Sequence, residues 1–199
     1  MKKILLLIVL LLGLGNINAQ SFVIMPEGVT DGNGNTSIII EENGMDVSQI
    51  KSAIKAAIKS NIISSQLKIE DVGNSIIVSD LKGGFTKTDG KAGSAYQFNL
   101  TYNITFDIKD GKVRYEAPKF ILDASQKFNE HSQTWTSGTQ FEITMGIQGK
   151  NDVWSNKEKK FFIYNQDNKL KEPTTKNKLE EVFNSYIPLL KNLSKVTEW

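Results

Sequence analysis

One stretch in the middle of the chain decides the fold: Tyr96-Gln97-Phe98-Asn99-Leu100-Thr101-Tyr102-Asn103-Ile104-Thr105-Phe106-Asp107-Ile108. Apolar and polar side chains alternate along all of it. Because successive side chains of a strand point to opposite sides of the sheet, the pattern predicts a long strand with one face in the core and one face in water. Such alternation is typical of an antiparallel sheet that is covered on one side only.

Hairpins are predicted on both sides of this strand. Asp110-Gly111 is a strong turn signal that leads into a return strand at 113–116, and Gly73-Asn74 separates two short β-branched runs at 67–72 and 76–81. Gly83-Gly84 and the segment 88–94 are predicted to form a loop. Beyond Pro118 the polar segment 125–138 shows no clear pattern, and alternation returns at Phe141, Ile143, Met145 and Ile147.

Two helices are predicted to cover the apolar face of the sheet. Asp46 is suited to cap a helix that follows the strand at 37–41, because the apolar residues after it fall on one stripe: Val47, Ile50, Ile54, Ala57 and Ile58. The lysines at 51, 55 and 59 share the other side and repel one another, so burial of the isoleucines should hold this helix in place. From about Thr175 a second stripe runs to Leu193, with a kink expected at Pro188. The fold class is therefore α+β, with a twisted antiparallel sheet and both helices packed on one face.

The N-terminus has the pattern of an export signal. Lys2 and Lys3 precede an apolar run at 4–14, and Ala19 is a small residue suited to the position before a cleavage site. We therefore expect a signal peptide at 1–19, an N-terminal extension at 20–36 and a single α+β domain at 37–199. The expected location is periplasmic or extracellular.

Composition excludes several classes of function. The chain has 24 basic and 22 acidic residues, so removal of Lys2 and Lys3 leaves equal numbers of each and no basic field for nucleic acid. There is no cysteine, which excludes disulfides, a thiol nucleophile and a lipid-bearing cysteine. After the signal, no apolar run approaches the ~20 residues of a transmembrane helix, so no transmembrane segment is expected.

The order of strand, Asp-capped helix, hairpin, long alternating strand and Lys-Asp-Gly turn resembles a family of secreted bacterial domains, the domain of unknown function 4468. The resemblance is carried by Ile104-Thr105-Phe106-Asp107-Ile108-Lys109-Asp110-Gly111-Lys112-Val113-Arg114-Tyr115 and covers roughly 37–122. It implies a TATA-box-binding-protein-like (TBP-like) fold and an envelope setting, mostly in Bacteroidetes, without an assigned activity. An additional strand and a C-terminal helix at 123–199 lie outside it.

No catalytic, metal or cofactor site is predicted. His131 is the only histidine and lies in a polar segment, without a G-x-S-x-G elbow elsewhere to present a nucleophile. Four acids could supply a carboxylate pair for glycoside hydrolysis, namely Glu70, Asp71, Glu130 and Glu142, but adjacent acids of a strand point to opposite faces. The run Asp31-Gly32-Asn33-Gly34-Asn35 resembles a calcium loop without the glutamate at its twelfth position, and is better explained as a turn. Gly83-Gly84 lacks the spacing of a phosphate-binding loop.

The candidate binding residues are Asn99, Thr101 and Asn103 on the wet face of the long strand, together with Trp135 and Trp154 in polar surroundings. Exposed tryptophans suit sugar stacking or partner docking, whereas the alternative is that they plug the open end of the sheet. We therefore expect a non-enzymatic binding or structural module of the envelope, whose partner is an envelope protein or a glycan. The alternative function is a glycan-binding or glycan-hydrolysing protein that uses carboxylates and the two tryptophans.

Overall fold

The computed structural model describes residues 20–89, 94–129, 131–137, 142–144, 163–164, 167–191 and 193–196. The strands in these ranges are β1 (Val23–Met25), β2 (Gly28–Thr30), β3 (Ser37–Glu41), β4 (Lys68–Val72), β5 (Ser75–Asp89), β6 (Ser94–Lys109), β7 (Lys112–Glu116), β8 (Lys119–Asn129), β9 (Thr134–Ser137) and β10 (Glu142–Thr144). The helices are α1 (Val47–Asn61), α2 (Pro173–Asn184), α3 (Ile187–Leu190) and α4 (Leu193–Val196).

Strands β3 to β10 form one antiparallel sheet, whereas β1 and β2 form a separate hairpin. The centre of the sheet is β6, the strand predicted from its alternation. It pairs with β5 along one edge, and along the other edge with β8 and then with β7. Outside these, β4 pairs with β5, β3 with β7, and both β9 and β10 with β8. The predicted turns at Gly73-Asn74 and Asp110-Gly111 are confirmed.

One face of the sheet is covered, and the predicted α+β fold class is confirmed. Every second residue of β6 is buried there: Tyr96, Phe98, Leu100, Tyr102, Ile104, Phe106 and Ile108. Against them pack Ile50 and Ile54 from α1 and Leu179 and Phe183 from α2, all fully buried. We call this helix-covered side the inner face of the sheet, and the opposite side the outward face.

The N-terminal segment contributes to the same core. Phe22 and Ile24 are buried, and the Phe22 ring lies 4.8 Å from that of Tyr115 on β7. The backbone N–H of Phe22 donates to Asn184 Oδ1 at 2.7 Å, and that of Ile24 donates to Glu180 Oε1 at 2.7 Å. These bonds attach β1 to α2, so the segment before the predicted domain start packs as part of the domain core.

Helix α1 begins at the predicted cap. The Asp46 side chain accepts from the N–H of Gln49 at 2.8 Å, and Gln49 Oε1 accepts from the N–H of Asp46 at 2.9 Å, which completes a capping box. The expected repulsion along the lysine face is offset by Asp71 on β4, which binds Lys51 and, at 2.9 Å, Lys55. The pKa of Asp71 is lowered, chiefly by its hydrogen bond with Lys51.

The loop predicted at Gly83-Gly84 is wrong, because β5 continues through it to Asp89. The register between β5 and β6 shifts between Lys82 and Thr86, so the glycines form a bulge within the strand. Gly84 has φ +61°, and a Cβ there would lie 2.6 Å from Gln97 Nε2. The two glycines therefore mark an irregularity in the pairing of β5 with β6 and not the end of β5.

Two further predictions need correction. The unpatterned segment at 125–138 contains the end of β8 and all of β9, which pair as a hairpin at the sheet edge. The C-terminal helix is not kinked but interrupted, because α2 ends at Asn184 and a new helical turn starts at Ile187. Pro188 is tolerated there because the first turn of a helix does not use the backbone N–H that proline lacks. Of the later strand, Glu142–Thr144 is described, and the rest lies outside the described residues.

Candidate binding face of the sheet

The outward face carries the predicted wet residues of β6. Asn99 and Thr101 are partly exposed and Asn103 is exposed, whereas their neighbours in sequence are buried against the helices. No described helix covers this side. The three predicted binding residues of β6 therefore lie together on the outward face.

The three polar residues play different parts. Asn99 Oδ1 accepts from the N–H of Gly84 at 3.0 Å, so this amide helps to hold the bulge of β5. Thr101 lies in one row between Leu81 of β5 and Ile121 of β8. Asn103 is exposed in the next row. Thr101 and Asn103 are available to a ligand, while one acceptor of Asn99 is already used.

Exposed apolar side chains also lie on this face, spread over several strands, which the sequence did not predict. Among the described residues, seven large hydrophobic side chains are exposed, and four of them belong to strands of the sheet and point outward: Ile39 at 45%, Val72 at 54%, Leu81 at 44% and Trp135 at 43%. They come from β3, β4, β5 and β9. The outward face is thus a mixed surface of hydroxyl, amide and apolar groups and not a uniformly polar one.

Trp135 lies at one end of this face. Its ring packs against Phe128 across the β8–β9 pair, with centroids 5.0 Å apart, and Lys87 Nζ lies 5.3 Å from the ring centroid. The adjoining row holds Gln97, Gln126 and Ser137. Trp135 is therefore partly exposed beside amide groups and does not fill the interior. Trp154 lies outside the described residues.

The other end of the face is ionic. Asp107 accepts from Ser75 Oγ at 2.6 Å and from Arg114 Nη2 at 2.7 Å, and Arg114 Nε also contacts Glu116. The pKa of Asp107 is lowered, first by the Ser75 hydroxyl and then by the Arg114 guanidinium. A shallow depression of about 420 Å³ lies between these groups and Ile39. Among the charged groups that line it, Asp107 and Arg114 pair with each other and Lys112 pairs with Glu41.

Among the described residues, the candidates for chemistry are not brought together. His131 is exposed in the turn between β8 and β9, where its N–H donates to Asn129 Oδ1. Asp71 faces the lysines of α1, and its neighbour Glu70 points outward opposite Ile77. Glu130 and the side chain of Glu142 lie outside what the structure describes. Within the described ranges there is no group of three or more acidic or histidine side chains placed to hold a metal ion.

The loop that resembled a calcium site is closed on itself. Asp31 Oδ1 accepts from the N–H groups of Asn33 and Asn35 at 2.9 Å, and Oδ2 accepts from the Asn35 amide at 2.8 Å. The pKa of Asp31 is lowered, chiefly by the Asn35 side chain. These bonds stabilise the turn before β3, in agreement with the interpretation as a turn.

Asp80 is a buried polar group that sequence reasoning missed. It is 2% exposed on the inner side of β5, where it accepts from Ser64 Oγ at 2.6 Å and from the Tyr102 hydroxyl at 3.1 Å. The Tyr102 hydroxyl lies 3.0 Å from that of Tyr186, and burial raises the pKa of Tyr102. Asp80 alternates in phase with the buried Ile76 and Val78, a pattern that could have identified it.

The described chain is an α+β domain whose antiparallel sheet is covered by helices on one face and open on the other. The resemblance drawn from the sequence is confirmed, since residues 37–122 match the family model described as "Domain of unknown function (DUF4468) with TBP-like fold". A comparison with curated proteins gave no match.

Two solved structures resemble the chain. A TBP-like protein from Parabacteroides distasonis ATCC 8503 has 14% identity and a TM-score of 0.46, over 78% of this chain and 91% of the other. A DUF4468 family protein from Bacteroides ovatus ATCC 8483 has 14% identity and a TM-score of 0.39, over 82% and 85%. No helix in the described ranges is both long enough and apolar enough to cross a membrane.

Proposed function

We propose that the protein is exported and acts without catalysis, as a module that binds a macromolecular partner of the cell envelope on the outward face of its sheet. The observation that carries this proposal is that four of the seven exposed large apolar side chains among the described residues, Ile39, Val72, Leu81 and Trp135, lie on one side of the sheet. Apolar side chains that remain exposed on a folded monomer are candidates for contact with a partner. The hydroxyl and amide groups between them provide the polar contacts that fix an orientation.

The contacts of the acidic side chains support a role without catalysis. Asp71 and Asp107 are engaged by cations, Asp31 by its own loop, and Asp80 lies beneath the helices. A general acid and base pair requires carboxyl groups that converge on a common substrate. These acids instead stabilise separate parts of the fold.

Export rests on the N-terminal sequence. The two lysines, the apolar run at 4–14 and Ala19 together form a signal that would be removed after residue 19. Expression of the full-length chain in a bacterial host, followed by fractionation and intact mass measurement, tests this step. A purified protein that begins at Gln20 in the periplasm or medium supports it, and an uncleaved protein in the cytoplasm contradicts it.

The binding role is tested by capture from an envelope extract. The purified protein is compared with Leu81→Lys and Trp135→Ala variants, with Ile63→Lys as a matched control because Ile63 is 98% exposed, follows α1 and belongs to no strand of the sheet. Circular dichroism verifies that each variant is folded. We expect one partner to be captured by the wild type and the control and lost from both face variants. Equal capture by all four proteins would contradict this surface assignment.

A glycan is the second candidate ligand, favoured by the surroundings of Trp135. An indole ring that is 43% exposed, beside the amides of Gln97 and Gln126, offers a stacking surface with adjacent donors and acceptors. Affinity electrophoresis in gels that contain soluble polysaccharides measures this binding. Retardation of the wild type that is lost in Trp135→Ala and kept in Leu81→Lys would select a glycan bound at Trp135, whereas a wild type that no polysaccharide retards would contradict this candidate.

A further inference from the structure

Strand β3 lies at an edge of the sheet and, among the described strands, pairs with β7 on one side only. Its ladder with β7 is bounded by two backbone hydrogen bonds, from the N–H of Ala117 to the carbonyl of Thr36 and from the N–H of Glu42 to the carbonyl of Gly111. In an antiparallel pair every second residue exchanges these bonds with its partner. The backbone N–H and C=O groups of residues 36, 38, 40 and 42 therefore point toward β7. Those of Ser37, Ile39 and Glu41 point away from β7, to the open edge of the sheet. No described residue forms a backbone hydrogen bond with them.

The edge at β3 lacks the protection that the edge at β4 has. Strand β4 carries Lys68, Glu70 and Asp71 within five residues, and charged side chains on an edge strand oppose pairing with another strand. In β3 three consecutive isoleucines separate Ser37 from Glu41, and the central one, Ile39, is 45% exposed. Unpaired backbone groups beside an exposed isoleucine are a template for an added strand.

We propose that β3 pairs with β3 of a second copy of this chain, antiparallel and centred on Ile39, so that the two sheets join into one. The sequence Ser-Ile-Ile-Ile-Glu complements itself about its centre. Ile39 lies opposite Ile39 of the other copy and exchanges both backbone hydrogen bonds with it. Each Ser37 lies opposite Glu41 of the other copy, where a hydroxyl donor meets a carboxylate acceptor.

Charge selects this register and favours a second copy as the occupant. A pair centred on Glu41 would set two carboxylates against each other, and a pair centred on Ser37 would leave both Ile39 residues unpaired. Only the Ile39-centred pair uses all three outward-pointing residues and opposes no like charges. Glu41 retains its ion pair with Lys112 at 3.0 Å, which lies on the side of β7. The outward faces of the two copies then form one continuous surface.

The test is the oligomeric state of the protein purified after expression of the full-length chain. A contact limited to one strand edge is small beside the ~1,600 Å² of a standard interface, so association should depend on concentration between about 5 µM and 500 µM. Sedimentation velocity over this range should show a monomer–dimer equilibrium for the wild type. A wild type that stays monomeric throughout overturns the proposal.

Variants locate the contact. Ile39→Pro removes an N–H that points away from β7, and therefore should abolish the dimer while the fold is kept. Ile39→Lys places a charge at the centre of the strand pair and should also abolish the dimer. It replaces the proline variant in the test if that variant does not fold. Val72→Lys, at a similarly exposed position on β4, is the matched control and should dimerise like the wild type. A dimer that survives Ile39→Lys, or is lost in Val72→Lys, contradicts the assignment to β3.

Crosslinking gives an independent result, because the chain contains no cysteine. Residues that exchange hydrogen bonds directly across an antiparallel pair have Cα atoms about 5.5 Å apart, within the range that a disulfide spans. Under mild oxidation Ile39→Cys should therefore form a covalent dimer, and Val72→Cys should not. Equal crosslinking of the two variants would show random collision and overturn the proposed register.

Discussion

The buried carboxylate Asp80 should be one of the most sensitive polar positions in the chain. Its two oxygens accept hydrogen bonds from Ser64 on the segment after α1 and from Tyr102 on β6, and Tyr102 continues to Tyr186 after α2. The group thus connects the sheet with residues that follow both long helices. Lys82 Nζ lies 3.8 Å from Asp80 Oδ2 and is the nearest cation.

The size of the effect of Asp80→Ala follows from these contacts. A hydrogen bond to a charged group contributes about 1.5–3 kcal/mol, and two from side chains and one from the Leu81 N–H are lost. The loss is partly offset because the carboxylate no longer has to be desolvated and because the Tyr102 and Tyr186 hydroxyls still contact each other. We expect the free energy of unfolding to fall by about 3 kcal/mol, and Tm to fall by about 6–12 °C for a domain of this size.

Urea unfolding measures this change, with Glu70→Ala as the control for an exposed acid on the neighbouring strand. Tyr102→Phe should cost about 1 kcal/mol, and the double variant should show a coupling energy of about 1 kcal/mol or more with Asp80→Ala. The reasoning is refuted if Asp80→Ala costs no more than Glu70→Ala, or if the coupling energy is zero within error. Either result would mean that Asp80 does not accept hydrogen bonds in the core.

Two further predictions test other parts of the fold. Asp71→Asn should lower stability more at pH 7 than at about pH 2.5: the lysines depress the folded-state pKa of Asp71, so its stabilisation is complete above the unfolded-state value of about 3.9 and is lost as pH falls through the folded-state value. Urea unfolding of the wild type and the variant at the two pH values measures this. An equal difference in unfolding free energy at both pH values would contradict the prediction. Gly84→Ala should cost about 1–2 kcal/mol, because φ is +61° and the new Cβ would meet Gln97, whereas Gly83→Ala, with its nearest atom at 3.9 Å, should be nearly neutral in thermal melts.

The elements that could be predicted from the sequence are those in which local signals and packing agree. Strand β3 at 37–41, the Asp46 cap and the Asp110-Gly111 turn are found where the pattern places them. The bulge at Gly84 could not be distinguished from a loop, because what continues β5 is its pairing with β6, a contact distant in sequence. Strand β9 was missed for a related reason: all four of its residues are exposed, so burial imposes no alternation on it.

The candidate face was predicted in its polar part and missed in its apolar part. The alternation of β6 is long enough to show which side chains point outward. In a run such as Ile38-Ile39-Ile40 every residue is apolar, so the sequence does not show that Ile39 points outward while its neighbours are buried. Leu81 is masked in the same way by its position at the end of a β-branched run.

The exposed leucine of the outward face, Leu81, has no evident role in folding. Leu81 and Thr101 are direct neighbours across β5 and β6, and the threonine shows that a polar β-branched residue fits this surface. An exposed leucine forgoes the ~25 cal/mol per Å² that burial would contribute, and Ile39, Val72 and Trp135 do the same on three other strands. A partner that buries them gives these positions a physical reason. If Leu81 were exposed by chance, Leu81→Lys would leave both stability and partner capture unchanged, whereas a binding face requires capture alone to fall.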